Sequence, residues 1–145
     1  MENLKIEKLN QKDFNYIKEN LKDFDDFWNE YVLSDEYISE FSKSFVIKNN
    51  KKIYGFAILK EIFKTAEIMN IAIHKNFRNI GIGSTLLSHI ISYCKNQNIE
   101  TINLEVNSKN SLAIILYKKY NFIEVGFRKN YYRDGSDAIL MSLYL

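Results

Sequence analysis

The sequence predicts an α/β fold, one domain over residues 1–145 with a mixed, mostly antiparallel central sheet flanked by helices. Three observations predict it. Short β-branched and aromatic runs bounded by polar turns recur along the chain, and apolar residues at helical spacing interrupt them. In the second half the order strand, helix, strand appears, a unit that crosses a sheet. A chain of 145 residues also buries about two-thirds of its unfolded surface without help from metals or disulfides, so a single core suffices.

Taken in order, LKIEKL alternates like a strand and leads into QKDFNYIKENLKDFDDFWNEYVLSDEYISEF. There Phe14, Ile17 and Leu21, then Phe27, Tyr31 and Val32, recur at helical spacing, which predicts one or two helices. SFVIKN and KIYGFAILKEIF follow as two strands parted by Asn49-Asn50-Lys51, a hairpin turn. EIMNIAIH is a further strand, and from Gly83 to about Asn96 the helical spacing returns. TINLEVN alternates Ile102, Leu104 and Val106 against polar neighbours, a strand with one buried face. SKNSLAIILYKKYNF sets Ala113, Leu116, Tyr117 and Tyr120 on one helical face, with Ser108, Asn110 and Ser111 offering capping oxygens before it. FIEVGFRKNYY and DAILMSLYL close the chain as two strands joined through Arg133-Asp134-Gly135-Ser136, whose Asp-Gly pair is a turn signal.

Composition excludes several classes. With 46% hydrophobic and 26% charged residues the proportions are globular, and no apolar run approaches the roughly 18 residues of a membrane helix. The start alternates charge and apolar residues too closely for a signal-peptide core, so a cytoplasmic protein is expected. Cys94 is the one cysteine, which rules out an internal disulfide or a cysteine-based zinc site; it falls in register with Leu86, Leu87, Ile90 and Ile91 and is expected to pack. Net charge is +2 with no long basic stripe, so nucleic-acid binding is not indicated. No metal-ligand spacing is present.

The stretch RNIGIGSTLL puts Gly81 and Gly83 between a strand and a helix. Two readings stand side by side there. Glycines serve a strand-to-helix turn that needs positive φ; they also bare the amides of a helix start, which favour an anion, with Arg78 adding a cationic donor suited to a pyrophosphate. A Rossmann fingerprint fails because position 86 is Leu, and a P-loop fails because Ser84 follows Gly83 without a lysine.

MNIAIHKNFRNIGIGSTLL resembles the cofactor motif of the GCN5-related N-acetyltransferase family, Arg/Gln-x-x-Gly-x-Gly/Ala after the fourth strand, here Arg78-Asn79-Ile80-Gly81-Ile82-Gly83. LEVNSKNSLAIILYKKYNFIEVGFRKNYYRDGSDAILMSL is similar, segment by segment, to the bacterial ribosomal-protein-alanine N-acetyltransferases: LEV, an Asn soon after, Tyr-x-x-x-x-Phe, R-x-N-Y-Y and a closing DAI-x-M. From about residue 67 onward the match is nearly continuous; earlier it is limited to FWNE and YGFAIL. One departure is Asn121, where the family usually has Gly before the phenylalanine; Asn is the non-glycine residue most at ease in a left-handed helix end.

The resemblance implies an acetyl-coenzyme A-dependent transfer of an acetyl group to an amine by direct attack. It implies Glu105 as general base, through water, and Tyr117 as general acid near the sulfur. It also implies pyrophosphate contacts from Arg78, Asn79, Ile80, Gly81, Ile82, Gly83 and Ser84, pantetheine contacts along Ile71-Ala72-Ile73, and a further cofactor contact from Asn110, which also serves as a cap. The chemistry fits these types. Glu105 alternates away from Leu104 and Val106 and so can face a cleft. A tyrosine near 10 is a weaker acid than a thiol near 8.5, so full proton transfer is uphill by about 2 kcal/mol and Tyr117 acts first as a hydrogen-bond donor. His74, just past the strand, is expected to belong to structure or solvent, and His89, within the Gly83 to Asn96 helix pattern, is given no role.

For the acceptor, an α-amine near 7.8 is neutral about 10–20% of the time at pH 7 and a lysine near 10.4 only about 0.04%. That favours a protein N-terminus, which by resemblance is that of a ribosomal protein. A small amine such as a polyamine or amino sugar, and a non-catalytic acyl-coenzyme A-binding module, are the alternatives. Phe27-Trp28-Asn29-Glu30-Tyr31 and the segment Arg128 to Ser136 are expected to flank the acceptor groove.

Overall fold

The computed structural model describes residues 3–145. Strand β1 (Lys5–Lys8) is followed by helix α1 (Gln11–Glu19), a 3-10 turn at Leu21–Asp23 and helix α2 (Glu30–Ile38). Strands β2 (Ser42–Lys48), β3 (Ile53–Ile62) and β4 (Thr65–Ile73) form an antiparallel meander, then come helix α3 (Ile82–Asn96), strand β5 (Thr101–Asn107), helix α4 (Ser111–Lys119) and strands β6 (Ile123–Arg128) and β7 (Ala138–Tyr144). The seven strands make one sheet in the order β1-β2-β3-β4-β5-β7-β6. Only β4 and β5 run parallel, because the crossover through α3 returns the chain in the same direction. The mixed, mostly antiparallel sheet expected from the sequence is the one observed.

Local chemistry sets the junctions. Asn10 and Asn29 cap α1 and α2, accepting from the N–H groups of Asp13 and Val32. In the β2–β3 turn the Asn49 side chain accepts from the N–H groups of Lys51 and Lys52 at 2.9 and 2.8 Å. Asparagine takes left-handed φ at positions 79, 98, 121 and 130, so Asn121 holds the conformation for which the family usually spends a glycine.

Two cores cover the sheet. Leu86, Leu87, Ile90 and Cys94 of α3 pack with Ala57, Leu59 and Ile102 on one face. Phe14, Ile17 and Leu33 of α1 and α2 pack with Phe56 and Ile58 on the other, and Phe14 stacks on Tyr37 at 4.0 Å. Each fully buried Leu or Ile contributes about 1.5–3 kcal/mol.

Two expectations are corrected. Phe27 and Tyr31 are 79% and 78% exposed while Leu33 is fully buried, so Leu33 anchors α2. The reason is the start of the helix: Asn29 is the cap, and Phe27 lies outside the helical period, in a turn organised by Asp25. Strand β6 stops at Arg128, because Tyr131 and Tyr132 enter a turn closed by the Tyr132 N–H to Ser136 carbonyl bond.

The feature that positions the site is a split in the sheet. Strands β4 and β5 pair only from Thr65 with Thr101 to Ile68 with Leu104. At that level the β3–β4 register steps from Leu59 with Ile68 to Ile58 with Asn70, leaving Met69 as the extra residue of a bulge. A bulge bends and twists its strand, so β4 stays on β3 and swings away from β5.

Candidate active site

Beyond Ile68 the edge of β4 facing β5 has no strand partner among the described residues. Backbone groups alternate between the two sides of a strand, and the His74 N–H is spent on the Tyr54 carbonyl of β3. Ile71 and Ile73 therefore aim theirs into the split, and the Ile73 carbonyl accepts from Arg78 Nε at 3.0 Å.

A cavity of about 530 Å³ occupies the split. Its floor is Ile71, Ala72 and Ile73, one wall is the loop carrying Arg78, Asn79 and Gly81, and Gly83 and Ser84 of α3 continue that wall. Across from them stand Asn110, the cap of α4, with Leu116 and Tyr117 of that helix, and the loop after the first 3-10 turn, with Asp25 and Asp26.

The start of α3 is bare. Gly81 holds φ +91, and a Cβ built there meets no atom within 4 Å, so glycine is required by conformation alone. Gly83 is helical, and its Cβ would stand 3.7 Å from both Ile73 Cγ1 and Leu116 Cδ2. No side chain caps the helix, and the first intrahelical bond runs from the Thr85 N–H to the Gly81 carbonyl at 3.0 Å. The amides of Ile82, Gly83 and Ser84 thus precede the ladder and are free for an anion, at the positive end of a 15-residue helix. The turn reading of the glycines is observed at Gly81, and that turn leaves the amides exposed. A pyrophosphate on these amides with a thioester arm along the open edge of β4 fits this donor set.

The side chains around these amides have partners within the protein. Arg78 spends its guanidinium on carbonyls, Nε on Ile73 and one Nη on Phe24 at 3.0 Å. It staples the loop after the first 3-10 turn to the edge of β4. Ser84 Oγ bonds the Tyr120 hydroxyl, so Ser84 offers the cavity its amide. Asn110 caps α4 through the Ala113 N–H at 3.2 Å and also lines the cavity. Ile82 is in the core and Ile80 is exposed; neither side chain is part of the cavity wall.

Tyr117 is half-buried on that wall, its ring against Phe122 at 5.7 Å. Its hydroxyl has no hydrogen-bond partner among the described residues, and burial pushes it up to about 12. Glu105 is not in the cavity wall. It stands on β5 at the first position past the last β4 pair, at the fork of the split, and its Oε1 accepts from Arg128 Nε at 3.2 Å. Tyr132 lies near enough that the Glu105 charge adds to the burial that raises the Tyr132 hydroxyl.

The family model of the acetyltransferase (GNAT) family matches residues 5–122. The chain belongs to this family. The GNAT chain is 37% identical over 103 residues to the ribosomal protein bS18-alanine N-acetyltransferase of Escherichia coli (strain K12), covering 69% of this chain and 70% of that one. It is 40% identical over 104 residues to the enzyme of the same name from Haemophilus influenzae, with coverage of 69% and 70%. The crystal structure of the Escherichia coli ribosomal-protein-S18-alanine N-acetyltransferase superposes with a TM-score of 0.90 at 31% identity, over 97% of this chain and 93% of that chain. As a GNAT enzyme the chain is an acetyl-coenzyme A-dependent N-acetyltransferase with acetyl-coenzyme A as co-substrate.

The remaining GNAT residues fall as follows. His74 Nδ1 accepts from the Asn76 N–H and its ring packs edge-on to Phe24, a structural role. His89 packs edge-on to Phe45. Cys94 is buried, and burial with the nearby Glu61 charge pushes its thiol up to about 12. Phe27 lines the cavity, whereas the segment Arg128 to Ser136 does not. Sequence reasoning missed Asp25, which accepts from Asn70 Nδ2 at 2.5 Å and from the Phe27 N–H at 2.7 Å. The Asp-x-aromatic turn was a signal for the second bond; nothing local announced the first.

Proposed function

We propose that the enzyme acetylates the α-amine of a protein N-terminus, with Glu105 as general base and Tyr117 as the donor to the departing sulfur. The observation that carries this reading is the fork: Glu105 sits where β5 leaves β4, and Tyr117 sits on the wall of the cavity that the fork opens. The names of the relatives from Escherichia coli and Haemophilus influenzae point to an alanine N-terminus of ribosomal protein bS18 as the acceptor. The same reading treats the chain as one catalytic domain working in the cytoplasm, where Cys94 stays a thiol.

When bound, acetyl-coenzyme A supplies an acyl carbon activated as a thioester. The amides ahead of the α3 ladder hold its diphosphate, and the open edge of β4 aligns its arm. Glu105 takes a proton from the incoming amine, directly or through one water, and Arg128 keeps that carboxylate oriented. Tyr117 donates a hydrogen bond to the sulfur as charge develops on it. Its raised position makes it a poor proton donor and a durable hydrogen-bond donor.

A small cationic amine is the second reading, favoured by Asp25 and Asp26 in the cavity wall. Thiol release with acetyl-coenzyme A separates the two. A peptide beginning with the bS18 alanine terminus is expected to turn over far faster than spermidine or an amino sugar. Turnover on spermidine with none on any peptide rejects the first reading, and cofactor binding with no turnover on any amine rejects both.

A further inference from the structure

A second cavity, of about 620 Å³, lies on the far side of Phe77, which lines both cavities. Five lysines border it: Lys5 from β1, Lys12 from α1, Lys48 from β2, and Lys51 and Lys52 from the β2–β3 turn. Among the described residues Asp13 is the sole acid in its wall. The chain as a whole carries only +2, so its basic charge is concentrated here and the remainder is net acidic. A concave site with one sign of charge focuses the field and raises the local concentration of counter-ions.

The charges are arranged. Asp13 binds Lys48, which also stands 3.6 Å from Glu7, so Lys48 is fixed in place. Lys5 pairs with Glu7 at 3.3 Å. Among the described residues Lys12, Lys51 and Lys52 have no carboxylate within 4.0 Å, and Lys52 Nζ is held 5.4 Å over the Phe77 ring. Three uncompensated ammonium groups from two elements therefore face one space. Asn50 and Asn76 add side-chain amides, and Tyr16, 48% exposed, gives an aromatic face on the rim. The volume is that of a small-molecule site, and the cations surround a hollow instead of forming the long stripe that a duplex requires.

We propose that this cavity binds a small polyphosphate anion, inorganic or carried by a nucleoside, at a site separate from that of acetyl-coenzyme A. Lysine suits the task as a mobile point charge on phosphate. The base of a nucleotide would stack on Tyr16.

The test is calorimetric titration of the whole chain with tripolyphosphate and with ATP, each in saturating coenzyme A so that the acetyl site is filled. Binding is expected to persist, to weaken with salt, and to fall at least about tenfold in the variant Lys12→Gln, Lys51→Gln, Lys52→Gln, at roughly threefold per exposed charge. Acetyl turnover at saturating acetyl-coenzyme A is expected to be unchanged in that variant, which also shows that it folds. ATP binding more tightly than tripolyphosphate supports the nucleoside form, and equal affinity supports the inorganic form. Loss of binding in coenzyme A, undiminished affinity in the triple variant, or tighter binding of a single-stranded RNA than of either probe overturns the proposal.

Discussion

Replacing Tyr117 by Phe separates the chemistry of its hydroxyl from the packing of its ring. The ring stays against Phe122, and only an O–H that has no protein partner is removed. No donor or acceptor is stranded, so stability is expected to stay level or rise by at most about 1 kcal/mol, roughly 3 °C in Tm for a chain of this size. Turnover goes the other way. With the hydroxyl pushed up to about 12, transfer of its proton to a thiolate near 8.5 is uphill by about 5 kcal/mol. Its contribution is then a hydrogen bond to a charged atom, about 1.5–3 kcal/mol, and kcat falls about 10- to 150-fold. Steady-state thiol release, calorimetric Kd for coenzyme A and Tm are measured together. A kcat within about twofold of wild type refutes a role at the sulfur. A kcat loss accompanied by several kcal/mol of lost stability makes Tyr117 a packing residue instead.

Glu105→Gln is expected to lower kcat by about 100-fold or more with the KM for acetyl-coenzyme A unchanged; equal turnover removes Glu105 from the mechanism. Gly81→Ala costs about 1–2 kcal/mol of backbone strain with no clash, and the loop relieves it by leaving the cradle, so the KM for acetyl-coenzyme A rises about tenfold while Tm falls slightly. At Gly55 the balance reverses: a Cβ would stand 2.7 Å from the Ala72 carbonyl oxygen, and Gly55→Ala is expected to lose about 1–3 kcal/mol by denaturant titration. Arg78→Ala frees the loop holding Phe24 from β4, and initial-rate kinetics are expected to show the acceptor KM rising more than that of acetyl-coenzyme A; the opposite order puts the guanidinium on the diphosphate. Cys94 keeps in the fold a proton that the unfolded chain releases near pH 9, so the unfolded state binds fewer protons and stability falls as pH rises from there. The slope approaches about 1.4 kcal/mol per pH unit above about pH 10, and Cys94→Ala is expected to flatten it between about pH 9 and 12.

Much of the fold was legible because its signals are local. The α3 pattern, the alternation of TINLEVN and the asparagine turn each depend on residues within one or two turns of each other, and the structure reproduces them. The glycine turn before α3 was legible for the same reason: a helix start and its glycines are neighbours in sequence. Phe27 and Tyr31 misled because apolar spacing does not say where a helix begins, and the cap at Asn29 decided it.

What stayed hidden is what the fold assembles from distant segments. The split depends on a one-residue slip at Met69 together with the end of pairing at Leu104, and no periodicity encodes either. The bonds of Arg78 to the carbonyls of Ile73 and Phe24 could not be read from the sequence, because a carbonyl carries no side-chain signature and the second lies 54 residues away. The same arginine thereby joins the open edge of β4 to the loop that brings Asp25 and Asp26 to the cavity. Because the Arg78 side chain is engaged in holding this shape, the diphosphate site we propose rests on main-chain amides; φ +91 asks for glycine at 81, while the Ile82 side chain lies in the core and that of Ile80 is exposed, so neither closes the helix start.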